Sequence, residues 1–157
     1  MGVYAFAKSN GIPEESCQNY ESKNPLAELC LPRQVCKTCV PPVPPAGKDY
    51  ELLCTAVTQF RRWKVSSYGF VDGIEEIKKA IYANGPVGCG IYVTDKFEEY
   101  AGGIYSEKTT EIDINHEVSL VGWGVENGTE YWIGRNSWGT YWGEYGFFRI
   151  KMSGDNL

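Results

Sequence analysis

At 157 residues and 17.6 kDa, with 43% hydrophobic and 14% aromatic side chains, the chain can fill one ordinary domain or two small lobes, which excludes global disorder. The net charge is −5, and no basic cluster exceeds the pairs Arg61-Arg62 and Lys78-Lys79, so a nucleic-acid partner has no electrostatic footprint to bind. No stretch approaches the roughly 18 apolar residues that a membrane-spanning helix needs.

The first residues, Met1 to Lys8, have neither a basic leader nor a long apolar run, so they do not read as a signal peptide. Residues 1–65 are cysteine-dense, with turn signals at Gly11-Ile12-Pro13 and Asn24-Pro25. The run Val40 to Pro45 begins a proline-rich loop, 40–47, that is extended and cannot donate to a sheet ladder.

Residues 66–157 form a second region, which alternates helix and strand signals. Asp72-Gly73-Ile74-Glu75 predicts a helix start with Asp72 as N-cap and Glu75 completing a capping box. Ile74, Ile77 and Ile81 share one face, and Asn84-Gly85-Pro86 ends the helix. Val87–Val93, Val118–Val125, Glu130–Arg135 and Tyr145–Ile150 are rich in β-branched and aromatic residues and predict strands. Asn127-Gly128 predicts a type I′ hairpin turn and, with Thr129, also spells an N-glycosylation triplet. One helix followed by mostly antiparallel strands is an α+β arrangement with a small barrel or half-barrel.

Six cysteines, five of them between Cys17 and Cys54, fit an oxidising compartment better than the cytosol. Cys36-Lys37-Thr38-Cys39 has a spacing that serves zinc, thiol redox chemistry and disulfides alike. No second pair repeats it for a metal, and the proline run follows where a redox motif needs a helix. Structural disulfides remain, and spacing alone does not choose their partners. No cofactor is expected.

The single histidine lies in Asn115-His116-Glu117-Val118, and twenty residues on comes Asn136-Ser137-Trp138-Gly139, then Trp142-Gly143-Glu144-Tyr145-Gly146-Phe147. Taken singly, a histidine at a strand start is usually structural, and a Trp/Gly-rich stretch is usually a packed turn. Together they closely resemble the papain-like cysteine peptidases, whose Asn-His, Asn-Ser-Trp-Gly and Trp-Gly-Glu-x-Gly segments they match. Gly11 to Cys17, Ile81 to Pro86, Gly102 to Tyr105 and Gly128 to Ile133 extend the likeness over nearly the whole chain. Within the family it is closest to the cathepsin X (cathepsin Z) branch of lysosomal carboxypeptidases.

The resemblance implies a Cys-His-Asn site. His116 would carry the proton between thiol and leaving amine, Asn136 would hold the ring, and Trp138, backed by Trp142, would keep water from their hydrogen bond. Asn115 and Glu117, flanking the histidine, would touch substrate; Glu117 departs from the small or apolar residue usual in the family, and its carboxylate would either favour basic side chains in the pocket or mark a copy released from catalytic constraint. It further implies disulfides Cys17–Cys36 and Cys39–Cys54, with Cys30 and Cys89 lacking partners inside this chain. The implied fold is papain-like: part of the left, helical lobe in 1–65 and most of the right, antiparallel β-barrel lobe in 66–157.

The nucleophile's signature, C-G-[SA]-C-[WY], is absent, and its expected place about 130–150 residues before the histidine falls ahead of Met1. Cys39 lacks the surrounding Gly-Ser/Ala and aromatic residues and is not expected to replace it. The oxyanion-hole glutamine and the histidine-bearing loop that reads a substrate's C-terminus in the cathepsin X branch are missing too. The chain is therefore expected to be the C-terminal portion of a lysosomal or extracellular peptidase, inactive alone. Its expected partners are the N-terminal half, peptide or protein substrates and cystatin-like inhibitors. Two other readings are a pseudo-peptidase that binds peptides or inhibitors, and an interaction module that works through its proline loop.

Overall fold

The computed structural model describes residues 2–19, 31–40, 53–109 and 113–152. Cys30 and the proline-rich loop beyond Val40 lie outside these residues. The chain divides into two compact units, Met1–Phe70 and Val71–Leu157.

The first unit opens with helix α1, Gly2–Ser9, an element not predicted above. Only Ala7 is buried on it, and its large apolar residues Val3, Tyr4 and Phe6 are exposed. Gly11, at φ +74°, turns the chain out of the helix and into a bridge between Ile12 and Trp63. A single 3-10 turn, Glu15–Cys17, is capped by the Glu14 carboxylate, which accepts from Ser16 N at 3.0 Å. Helix α2, Pro32–Val35, starts on a proline whose missing N–H costs nothing there. Strands β1, Lys37–Val40, and β2, Leu53–Ala56, pair antiparallel. Cys39 stands directly opposite Cys54 and is bonded to it, while Cys36, just before β1, is bonded to Cys17. The C-x-x-C is thus divided between two disulfides, as the family resemblance implied.

The second unit begins with helix α3, Ile74–Asn84. The N-cap is Gly73 at φ +85°, not Asp72. Glycine adopts that conformation freely, and the Asp72 carboxylate accepts from Gly73 N instead of capping the helix. Ile81 is buried, Ile77 is half-buried, and Ile74 is exposed on the first turn. Lys78 ties the helix to the sheet through Glu130 at 3.1 Å, and Gly85 ends it as predicted.

Next come strand β3, Val87–Ile91; helix α4, Asp95–Glu98; strand β4, Ile104–Tyr105; and strands β5, His116–Glu126, β6, Thr129–Arg135, and β7, Phe147–Lys151. They form one sheet in the order β3-β5-β6-β7-β4. All pairs are antiparallel except the two-residue β4, which runs parallel to β7 and is too short to leave a periodic signal. Asn127 and Gly128 both have positive φ, +50° and +77°, the geometry of a type I′ turn.

The core of this unit centres on Phe97 and Phe148, both with no exposed surface, surrounded by Ile91, Tyr100, Tyr105, Val118, Trp142 and Ile150. Phe97 enters from α4, which Thr94 caps by accepting from Phe97 N at 3.2 Å. Beside it Thr94 and Tyr105 both donate to the Glu107 carboxylate.

Arg149 on β7 holds the segment after β6. Its guanidinium reaches Glu144 at 2.8 and 3.0 Å and Glu126 at 2.7 Å, and Glu144 in turn accepts from Gly103 N at 2.9 Å. These Arg149 hydrogen bonds hold the Glu144 carboxyl below its ordinary range. A folded-state pKa below the unfolded one gives stability that is complete above about pH 4.5 and fades as pH falls further. The urea midpoint is therefore expected to hold from about pH 8 to pH 5 and then drop. Arg149→Met should flatten part of that drop, because Glu144 then titrates near its unfolded value, whereas an unchanged acid slope would contradict the assignment.

Candidate active site

His116 is the first residue of β5 and Asn136 follows the last residue of β6, so the hairpin brings the two together although twenty positions separate them. His116 Nε2 lies 2.8 Å from Asn136 Oδ1. That oxygen also accepts from the backbone N of Ser137 at 2.8 Å. An N–H cannot face an NH2 group, so Ser137 fixes which end of the Asn136 amide meets the ring. It follows that Nε2 carries the proton and donates to Oδ1. Nδ1 is left as the ring's acceptor nitrogen.

Asn136 is 8% exposed, and its Nδ2 is buried without a hydrogen-bond partner among the described residues. An orphaned buried donor costs on the order of 1–3 kcal/mol. The Asn136 backbone is held as well, donating to Gly146 O at 2.9 Å.

The Trp138 ring lies beside the histidine, with centroids 5.0 Å apart and planes at 33°. Trp142 meets Trp138 edge-on at 5.0 Å, packs 5.4 Å from Phe97, and donates from Nε1 to Glu98 O at 2.7 Å. The supporting tryptophans thus hang from the unit's core.

The flanking residues differ in what they do. The Asn115 side chain is engaged with Val93, accepting from its N at 2.7 Å and donating to its O at 3.0 Å. This clamps the residue before β5 to the segment just after β3. Glu117 is exposed, pairs with Gly90 and lies on the opposite sheet face from Val118. A Cβ at position 90 would come 3.4 Å from the Glu117 carboxylate and 2.6 Å from Ile114.

No activated thiol accompanies His116 among the described residues. Cys39 is closed in its disulfide, and Cys89 is free but half-buried, its thiol pushed up first by burial and then by Glu117. No group of three or more His, Cys, Asp or Glu residues among them is placed to hold a metal.

In the sequence Glu144 is visible only as part of a motif, and nothing there marks Ser137 N, Gly146 O or Arg149. Backbone partners leave no trace in residue identity. The Glu126–Arg149–Glu144 network joins positions whose proximity exists only once β5, β6 and β7 are assembled.

A His–Asn pair of this geometry stands on an α+β fold, and the papain family cysteine protease model matches residues 1–157: the chain belongs to that family. It is 45% identical to Cathepsin Z of Onchocerca volvulus over 96% of this chain and 45% of that protein. It is 42% identical to Cathepsin B-like cysteine proteinase 6 of Caenorhabditis elegans, over 96% of this chain and 39% of that protein. The chain therefore spans less than half the length of either relative. Among solved structures, digestive procathepsin L2 proteinase from Tenebrio molitor larval midgut superposes with a TM-score of 0.66 at 27% identity, over 97% of this chain and 41% of that one. A structure from work on the mite allergens Blo t 1 and Der p 1 reaches 0.71 at 22% identity, over 99% and 43%, and speaks for the fold alone.

Proposed function

We propose that this chain supplies the histidine–asparagine half of a cathepsin X-like cysteine peptidase, with the nucleophilic cysteine and oxyanion-hole donor coming from polypeptide outside the described residues. The observation that carries this reading is the His116–Asn136 contact, with its oxygen end fixed by Ser137. In that role His116 Nδ1 takes the thiol proton, leaving a thiolate to attack the scissile carbonyl, and then gives the proton to the departing amine. Asn136 keeps the ring in the plane that serves both transfers, and Trp138 limits water beside it. Residues 1–65 would belong to the helical lobe and 66–157 to most of the β-barrel lobe.

Substrates on this reading are peptides or proteins, and cystatin-like inhibitors would compete for the same cleft. Glu117, with Gly90 clearing space beside it, would form an acidic wall for a basic side chain. The compartment is lysosomal or extracellular, which the two disulfides support.

The test is the intact mass of the native protein and its alkylation at about pH 6, where Cys89 is protonated. The expected result is a mass well above 17.6 kDa with one rapidly alkylated cysteine. A mass near 17.6 kDa with no fast-reacting thiol would overturn it and leave a peptide-binding pseudo-peptidase.

A further inference from the structure

We propose that Asn127 carries an N-linked oligosaccharide. Asn127-Gly128-Thr129 is the chain's single Asn-x-Ser/Thr triplet, with no proline at either position that would disable it. As sequence alone, the triplet competes with a simpler reading, since Asn-Gly is also what a tight hairpin turn demands. The structure removes the competition because the two uses draw on different atoms. The turn is made by backbone, through the positive φ of Asn127 and Gly128. The Asn127 side-chain amide makes no hydrogen bond among the described residues, and both turn residues are exposed. The acceptor nitrogen is therefore free at the outermost point of the β5–β6 hairpin, with the Thr129 hydroxyl two residues on.

The second observation is independent of the triplet. Cys17–Cys36 and Cys39–Cys54 are closed disulfides, which form and persist along the secretory route, the compartment where such glycans are attached. The inference thus rests on the disulfides and the hairpin, not on the catalytic reading, and either can fail without the other.

The reaction is a substitution. Asn127 Nδ2 attacks the anomeric carbon of a lipid-linked oligosaccharyl pyrophosphate, the N–C bond forms as the C–O bond to pyrophosphate breaks, and the amide gives up one proton to the transferase. The position also explains why a bulky group is tolerated. His116 begins β5 and Asn127 follows its last residue, so at about 3.3 Å per residue the glycan sits roughly 36 Å from the histidine along the strand.

The experiment translates the full chain behind a secretion signal in the presence of microsomes, then releases glycans enzymatically in 18O-labelled water. The expected product has one glycan and, after release, a labelled aspartate at position 127. Asn127→Gly, which keeps the positive φ, and Thr129→Ala should abolish both, and Thr129→Ser should retain them. An unmodified wild-type chain, or a glycan that survives Thr129→Ala, would overturn the proposal. Attachment occurs as the chain enters the lumen, so a folding defect in a variant does not obscure the result.

Discussion

His116→Ala in the complete peptidase is expected to lower kcat/KM on a peptide substrate by about 10⁴-fold or more, nearly all of it in kcat. The size follows from what the ring does on the proposed reading: without it the thiol is neither deprotonated before attack nor answered by an acid when the amine leaves, so both chemical steps suffer. Asn136→Ala is a different lesion. The ring remains but loses the oxygen that fixes its tautomer and plane, so a loss of about 10–100-fold is expected, the range of a modest misplacement. The ordering of the two variants is the diagnostic feature. A His116→Ala enzyme within tenfold of the parent would sink the assignment, and an Asn136→Ala enzyme as poor as His116→Ala would make the asparagine more than an orienting group. In the same enzyme Glu117→Ala should reduce cleavage after Arg-containing sequences relative to Leu-containing ones. An unchanged preference would remove Glu117 from the substrate surface.

The second large effect lies in the core. A Cβ built on Gly134 would stand 2.1 Å from Cζ of Phe148, the residue facing it across β6 and β7. Phe148 cannot yield, since it is fully buried and packs edge-on against Phe97 at 5.2 Å. Gly134→Ala is therefore expected to cost about 3 kcal/mol, at the upper end of overpacking. Phe148→Ala should cost about 3–5 kcal/mol from the opposite cause, an unfilled cavity. Against a typical total of about 5–15 kcal/mol, either change is severe. Combined with Phe148→Leu, Gly134→Ala should cost much less than it does alone, because the added methyl then has room. Denaturant unfolding decides the point, and strictly additive losses would show that the ring and the glycine do not meet as described.

How much of this was legible in the sequence depended on whether a feature was encoded locally. The β5–β6 hairpin was, because Asn127-Gly128 answers a demand for positive φ that few residue pairs satisfy. His116, Asn136 and Trp138 stood out as a motif, and their assembly follows from that hairpin. The disulfide pairing came through family resemblance, since spacing left the alternatives open. What escaped was decided by tertiary context. Asp72 looked like a cap until Gly73 took the position by conformational freedom, and β4 exists only because β7 offers it an edge. Asn115 was read as a substrate contact, and its amide proves to be engaged with the backbone of Val93. Nothing in the residue string marks Glu144 as the link between Arg149 and Gly103.

The hairpin that carries the dyad also governs the order of events in folding. His116 and Asn136 lie just beyond the last pair, Ser119–Arg135, of a ladder whose strands are joined by two residues, so closing it asks for almost no loop entropy. Hairpins of this kind zip in about 1–10 μs, far ahead of pairings between distant segments. The histidine can therefore meet its asparagine early, as a by-product of local pairing, before the long-range contacts of the sheet's edge strands have formed. On the proposed reading the proton-transfer half of the site is set by low contact order, and the arrival of the nucleophile is the slow, long-range event that switches proteolysis on.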